Sequence, residues 1–180
     1  MLHFILLAIV AATPALVLVL ANQTNLGLKD RSNAVKTAAI FSIVSAALVM
    51  AGYWIGQGLR GMIEDDMLWI VDTLWFVIGL KMIFTSFKVS PRYVGIDLSS
   101  TGSALLAAIA AGTDSLLIAV ALGIIRENVS QFVVYATGIV FLFTLSGLSL
   151  LSANPFLVKH NQRLLMLSGS LLIFLTIFVF

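Results

Sequence analysis

The sequence contains no cysteine among its 180 residues. That excludes disulfides, thiol redox chemistry and thiolate metal sites. Charge is scarce too: charged residues make up 10% of the chain and hydrophobic residues 61%. Mean hydropathy is +1.11. A soluble domain has no use for so much apolar surface, so the composition is that of an integral membrane protein. The formal charge of +2 is small and the basic residues gather at the ends of apolar runs. Such a chain offers no surface for a nucleic-acid partner. The histidines, His3 and His160, also fall at run ends, so a bound metal would meet oxygen ligands instead. There is no phosphate-cradling glycine loop and no nucleophile–base constellation. The sequence therefore predicts neither an enzyme nor a bound cofactor.

What the chain does have is long apolar runs, at roughly 2–24, 36–58, 67–87, 101–125, 130–152 and 163–180. A spanning helix needs about 20 residues. Lipid offers no partner to open backbone groups, so each run is expected to form a helix. The expectation is an all-α membrane protein with six transmembrane helices and no soluble domain. The start, "MLHFILLAIVAATPA", has no Lys or Arg ahead of its apolar run. It reads as an uncleaved first span and not as a secretory signal. Lys29, Arg31, Lys36, Lys81, Lys88, Arg92, Lys159 and Arg163 fall on one side of this topology, and only Arg60 and Arg126 on the other. By the positive-inside rule, both termini and the acidic stretch at 64–66 lie outside. Trp54, Trp69, Trp75, Tyr53 and Tyr93 read as interfacial anchors. Gly52, Gly56, Gly138 and Gly147 read as small-residue packing sites between helices.

Two segments resemble each other. "AIVAATPALVLVLA" (8–21) and "AIAAGTDSLLIAVA" (108–121) match at six of fourteen positions without a gap. Residues 1–90 and 100–180 are then two copies of a three-helix unit within one membrane domain. Three is odd, so the copies have opposite orientations. Inverted repeats of this kind typify secondary transporters, with the site at the repeat interface. The match sets Pro14 opposite Asp114. Proline in a membrane helix removes a donor and can expose a carbonyl such as that of Val10. A packing kink accounts for Pro14 equally well.

Asp114 is the sole charge in 101–125. Intramembrane carboxylates are costly, face the bundle interior and mark substrate or proton paths. A purely structural hydrogen-bonding role is the alternative. A carboxyl group there can exchange a cation for a proton. Thr113 and Ser115 flank it, and Thr13, Ser42, Ser45, Thr137, Thr144 and Ser146 are further hydroxyls. Each alone more commonly bonds its own helix backbone. Asn22 and Asn25 read as helix caps, and Asp72 as a headgroup residue. Lys81 is about 10 Å along its helix from Lys88 and is expected to snorkel to the inner surface.

"KTAAIFSIVSAALVMAGYWIG" (36–56), "FVIGLKMIFTSFK" (76–88), "AAGTDSLLIAVALG" (110–123), "ATGIVFLFTLSGLSL" (136–150) and "RLLMLSGSLLIFL" (163–175) stand in an order and spacing that resemble the MntP-type manganese efflux pumps of the LysE-like exporter superfamily. Helices 1 and 2 also resemble the TerC-type membrane proteins. The MntP resemblance implies a bacterial inner-membrane exporter of a small, Mn(II)-like cation, working by proton antiport and compatible with homo-oligomers. It implies Asp114 as metal ligand; the residues themselves add Thr13, Thr113, Ser45, Ser115 and carbonyls freed at Pro14 as candidate helpers. The family carries an Asp where this chain has Pro14, and many members carry Glu or Gln where it has Ser45. The alternatives are a divergent exporter of a monovalent ion or other small solute, and a non-transporting scaffold.

Overall fold

A computed structural model describes residues 2–21, 31–62, 69–88, 98, 100–125, 127–149 and 161–178. Six helices fill them: α1 (Leu2–Ala21), α2 (Arg31–Arg60), α3 (Trp69–Lys88), α4 (Thr101–Ile124), α5 (Val129–Ser149) and α6 (Asn161–Phe178). No strand occurs among the described residues. Five of these helices are long and apolar enough to cross a membrane. In α6 the apolar stretch among the described residues is the shorter Arg163–Ile177, so the expected sixth run is present as a helix. α2 starts at Arg31, ahead of the apolar run, because nothing in Arg31–Lys36 breaks a helix. Asn22, Asn25, the acidic 64–66, Tyr93 and His160 lie outside the described residues.

Local sequence sets two of the starts. Ser100 has extended backbone (φ −83°, ψ 134°) and its hydroxyl accepts from the Ser103 amide, so it caps α4. Asn128 Oδ1 accepts from the Ser130 amide at 3.1 Å and performs the same service for α5. Both satisfy amides that a helix start leaves open.

Neighbours in sequence are not the main neighbours in space. α4 packs chiefly on α2, α5 on α1, and α6 on α3, while α1, α2, α4 and α5 meet in the middle. Between apolar helices in lipid, association comes from close packing and not from a hydrophobic drive. Glycine provides it. A Cβ on Gly52 runs into the Leu116 carbonyl, one on Gly56 into the Val120 carbonyl, and one on Gly123 into the Tyr53 carbonyl. The expected ridge of Gly52 and Gly56 is thus a backbone-to-backbone contact with α4. Its order along both chains makes α2 and α4 parallel. Gly79 meets Gly169 and Ile173, and Gly169 meets Met82 and Ile83, so α3 and α6 run antiparallel. Gly147 packs on Leu16 and Val19 of α1. Gly138 has no atom within 4 Å of its Cβ position; it points off the bundle and does not pack.

The outer surface is apolar: Ile43, Leu106, Phe87 and Val134 are about seven-tenths exposed. In lipid those side chains are solvated. Trp54 and Trp69 are largely exposed, as anchors are, but Trp75 is fully buried. It belongs to the main core cluster with Ile78, Met82 and Phe132, because it sits on the face of α3 that turns inward.

Substitution at the glycine ridge checks this packing. Gly56→Val or Gly123→Val is expected to destabilise the fold by about 1–3 kcal/mol through overpacking, read as a lower melting temperature in detergent. Gly58, with no atom within 4 Å of its Cβ position, is the control: Gly58→Ala leaves the melting temperature unchanged or raises it slightly.

Candidate functional site

Asp114 lies near the middle of α4 and is 7% exposed. Its face of the helix turns toward α3. There the Lys81 ammonium donates to Oδ1 and forms an ion pair with it. The Lys81 side chain is half exposed while that of Asp114 is 10% exposed. A buried carboxylate at the rim of the bundle is therefore covered by a cation reaching in from its edge. Lys81 does not serve as a surface anchor, as the sequence suggests: an opposite charge at the same depth is a better partner than distant headgroups. Lys81 is the partner of Asp114 that the sequence reading did not foresee. The signal was present, since Lys81 and Asp114 are lone deep charges of opposite sign on two apolar helices, and such charges pair.

The remaining expected site residues divide into separate groups. Ser115 is fully buried one position on from Asp114, but a helix turns about 100° per residue. Its hydroxyl faces α1 and donates to the Ala11 carbonyl at 3.1 Å. Ser45 of α2 is 4% exposed, and its Oγ has no hydrogen-bond partner among the described residues. Ser45 and Ser115 line one small cavity with Ala11, Ala15, Phe41 and Ala111. Asp114 is not part of that lining. Thr113 is exposed and bonds the Ala110 carbonyl of its own helix at 3.0 Å. Thr13 is buried and likewise turns back on its own helix, to the Ile9 carbonyl at 2.8 Å. The structure brings together Ser45 with Ser115, and Asp114 with Lys81, but not the two pairs with each other.

Pro14 sits inside α1, half-buried. It leaves the Val10 carbonyl without its helical donor. Ser168 of α6 takes that place: its hydroxyl donates to the Val10 carbonyl at 3.4 Å. The next carbonyl, that of Ala11, receives Ser115. The Val10 carbonyl, expected to be free for a cation, is therefore met by a hydroxyl from a neighbouring helix, which is the packing role for Pro14. Ser42 makes a third such link, donating to the Thr137 carbonyl at 3.1 Å.

Among the described residues, no group of three or more His, Asp or Glu side chains could hold a metal ion. Asp114 is the one site residue with a charged oxygen. A hard divalent cation there would complete its shell with carbonyl oxygens and water.

The coupling of the pair is measurable by a double-mutant cycle. Asp114→Asn and Lys81→Met each leave a charge without its partner at membrane depth. The double variant is expected to be more stable than the sum of the single losses implies. The half-exposed ammonium keeps the coupling toward the lower end of the usual range of about 0.5–3 kcal/mol. Melting temperatures in detergent check it, and strict additivity would contradict the pairing.

Comparison with known proteins places the chain in a family. The family described as "Putative manganese efflux pump" (Mntp) matches residues 29–180. A protein of Methanocorpusculum labreanum carrying that name with the suffix MntP is 31% identical over 154 residues, 83% of this chain and 80% of its own length. Its namesake in Oleidesulfovibrio alaskensis is 27% identical over 124 residues, 68% of this chain and 65% of its own. The one in Parabacteroides distasonis is 28% identical over 142 residues, 78% of this chain and 74% of its own. No solved structure matches the chain. With a family match over more than four-fifths of its length, set on a bundle of apolar helices around a buried carboxylate, the chain belongs to the Mntp family of manganese efflux pumps.

Proposed function

We propose that this protein exports Mn2+ from the cytoplasm across the cell membrane, with Asp114 as the residue that holds the cation in transit. The observation that carries this reading is the buried carboxylate in the middle of α4, within reach of a half-exposed lysine at the bundle edge. An intramembrane carboxylate is costly to keep and marks an ion path. Manganese prefers carboxylate, carbonyl and water oxygens, and those are the ligand types on hand. Family membership supplies the metal and the direction. The basic loops are cytoplasmic in this reading and both termini external. Inward protons are the coupling ion we propose, since a cation leaving a negatively charged interior must be driven.

The proposal includes the inverted repeat, and several contacts support it. Exchanging α1 with α4, α2 with α5 and α3 with α6 maps the main helix neighbours onto one another. Gly52 of α2 packs on Leu116 and Ala119 of α4, and Gly147 of α5 packs on Leu16 and Val19 of α1. The partners stand at the offset of the sequence repeat, Leu16 to Leu116 and Val19 to Ala119. Ala11 with Ala111, and Ala15 with Ser115, line the same cavity. These are the contacts expected of two copies related by a twofold axis through that cavity.

The test is a deletion strain complemented with variants. Loss of the protein is expected to raise cellular manganese and sensitivity to it. Asp114→Asn is expected to behave as the deletion, with export reduced at least tenfold. Wild-type export by Asp114→Asn, or equal protection against Fe, Co and Zn, would contradict the assignment. In vesicles, collapse of an imposed proton gradient is expected to slow export; an unchanged rate would remove proton antiport from the proposal.

A further inference from the structure

We propose that Lys81 is a tethered counter-cation: its ammonium occupies Asp114 whenever the substrate does not, and the two compete for the same carboxylate. The assignment rests on the reading of Asp114 as the cation ligand. It follows from three observations. First, the ammonium takes Oδ1 of Asp114 directly. Bound there, it removes an oxygen that a hard cation needs and repels that cation as a like charge. Second, the two ends of the pair differ in exposure, with half of the Lys81 side chain exposed and one-tenth of that of Asp114. The lysine can therefore swing off the carboxylate toward the bundle edge on its flexible four-carbon stem, while the carboxylate stays fixed on α4. Third, no other Lys or Arg lies within the apolar part of α3 or anywhere in α4, so no other cation on these two helices stands ready to take over.

The consequence concerns the return step of a carrier. After the cation leaves, an empty site holding a bare carboxylate would have to reorient through lipid with an unpaired charge, which is costly. With Lys81 back in place the empty site is neutral. The lysine thus serves the unloaded half of the cycle and weakens the loaded half. It is a positioning and specificity residue that acts on Asp114, and it does not itself touch the metal. The assignment concerns the charge that covers Asp114, not the route of the coupling proton.

The absence of cysteine in the chain makes a clean test. Lys81→Cys introduces a single thiol at a half-exposed position. Aminoethylation of it restores an ammonium at nearly the original length, and carbamidomethylation restores size without charge. The purified proteins are placed in vesicles loaded with labelled Mn2+. Net release into metal-free medium and exchange against external Mn2+ are measured separately, together with equilibrium Mn2+ binding. Lys81→Cys is expected to bind Mn2+ at least tenfold more tightly than wild type and to keep exchange within about threefold. Its net release is expected to fall at least tenfold. Aminoethylation, or Lys81→Arg, brings all three back toward wild type, and carbamidomethylation does not. Equal losses of release and exchange, or unchanged binding, would overturn the counter-cation role. So would rescue by the neutral reagent. If Asp114→Asn binds and exchanges Mn2+ as wild type does, the failure lies with Asp114 as ligand. If Lys81→Cys proves too unstable to purify, Lys81→Arg against Lys81→Gln gives the same binding comparison.

Discussion

The backbone contact between α2 and α4 at Gly52, Gly56 and Gly123 is the constraint on which the arrangement rests. Apolar helices in lipid gain nothing by hiding apolar surface, so they need another reason to stay together. Here carbonyls of one helix lie where side chains of the other would begin, and only glycine permits it. The contact fixes how far α4 is turned about its axis. With that rotation set, Ser115 faces α1 and Asp114, about 100° further round the helix, faces α3. Whether the carboxylate meets Lys81 or the central cavity is therefore decided by glycines on a different face of the helix.

A second constraint follows from the absence of water. Every polar group inside the bundle needs a partner made of protein. Pro14 creates a need by leaving the Val10 carbonyl open, and Ser168 meets it from α6. Ser115 adds a hydrogen bond from α4 to the neighbouring Ala11 carbonyl. The break in α1 is thereby tied to two neighbouring helices. The lone acid in α4 creates a larger need, which Lys81 meets. Ser45, Thr137 and Thr144 are exceptions, with buried hydroxyls that have no hydrogen-bond partner among the described residues, and Ser45 lies beside the cavity.

Much of the fold was legible in the sequence because lipid makes the rules strict. Aliphatic runs between polar breaks gave each helix, and the spacing of Gly52 and Gly56 gave a packing ridge. What could not be read was which helix lies against which. The local pattern of α3 does not reveal that it lies beside α4, so Lys81 was assigned to the nearest water and Trp75 to the interface. Of the candidate site, Asp114 was legible since its cost is intrinsic to the residue. The hydroxyls were not: Thr13, Thr113, Ser45 and Ser115 have the same chemistry, and only helix rotation separates those that turn back on their own backbone from those that reach a neighbour. Ser168 went unnoticed because its partner is a backbone oxygen far away in the chain.

The two halves differ in a way that charge balance explains. Under the proposed repeat, Pro14 stands where the second half has Asp114. Gly79 and Gly169 face each other across α3 and α6, so the position matching Lys81 in α6 is Leu171, which packs against the main core. The contact of α3 with α4 thus has an acid and a base, and the matching contact of α6 with α1 has neither. A half-measure would be worse than either state. An acid at position 14 facing Leu171, or a lysine at 171 facing Pro14, would leave one charge unpaired in lipid. At the contact of α1 with α6, which lacks the pair, the Ser168 hydroxyl satisfies the carbonyl that Pro14 leaves open. Under that repeat the charged pair lies at the contact of α3 with α4, where α4 presents its carboxylate to Lys81.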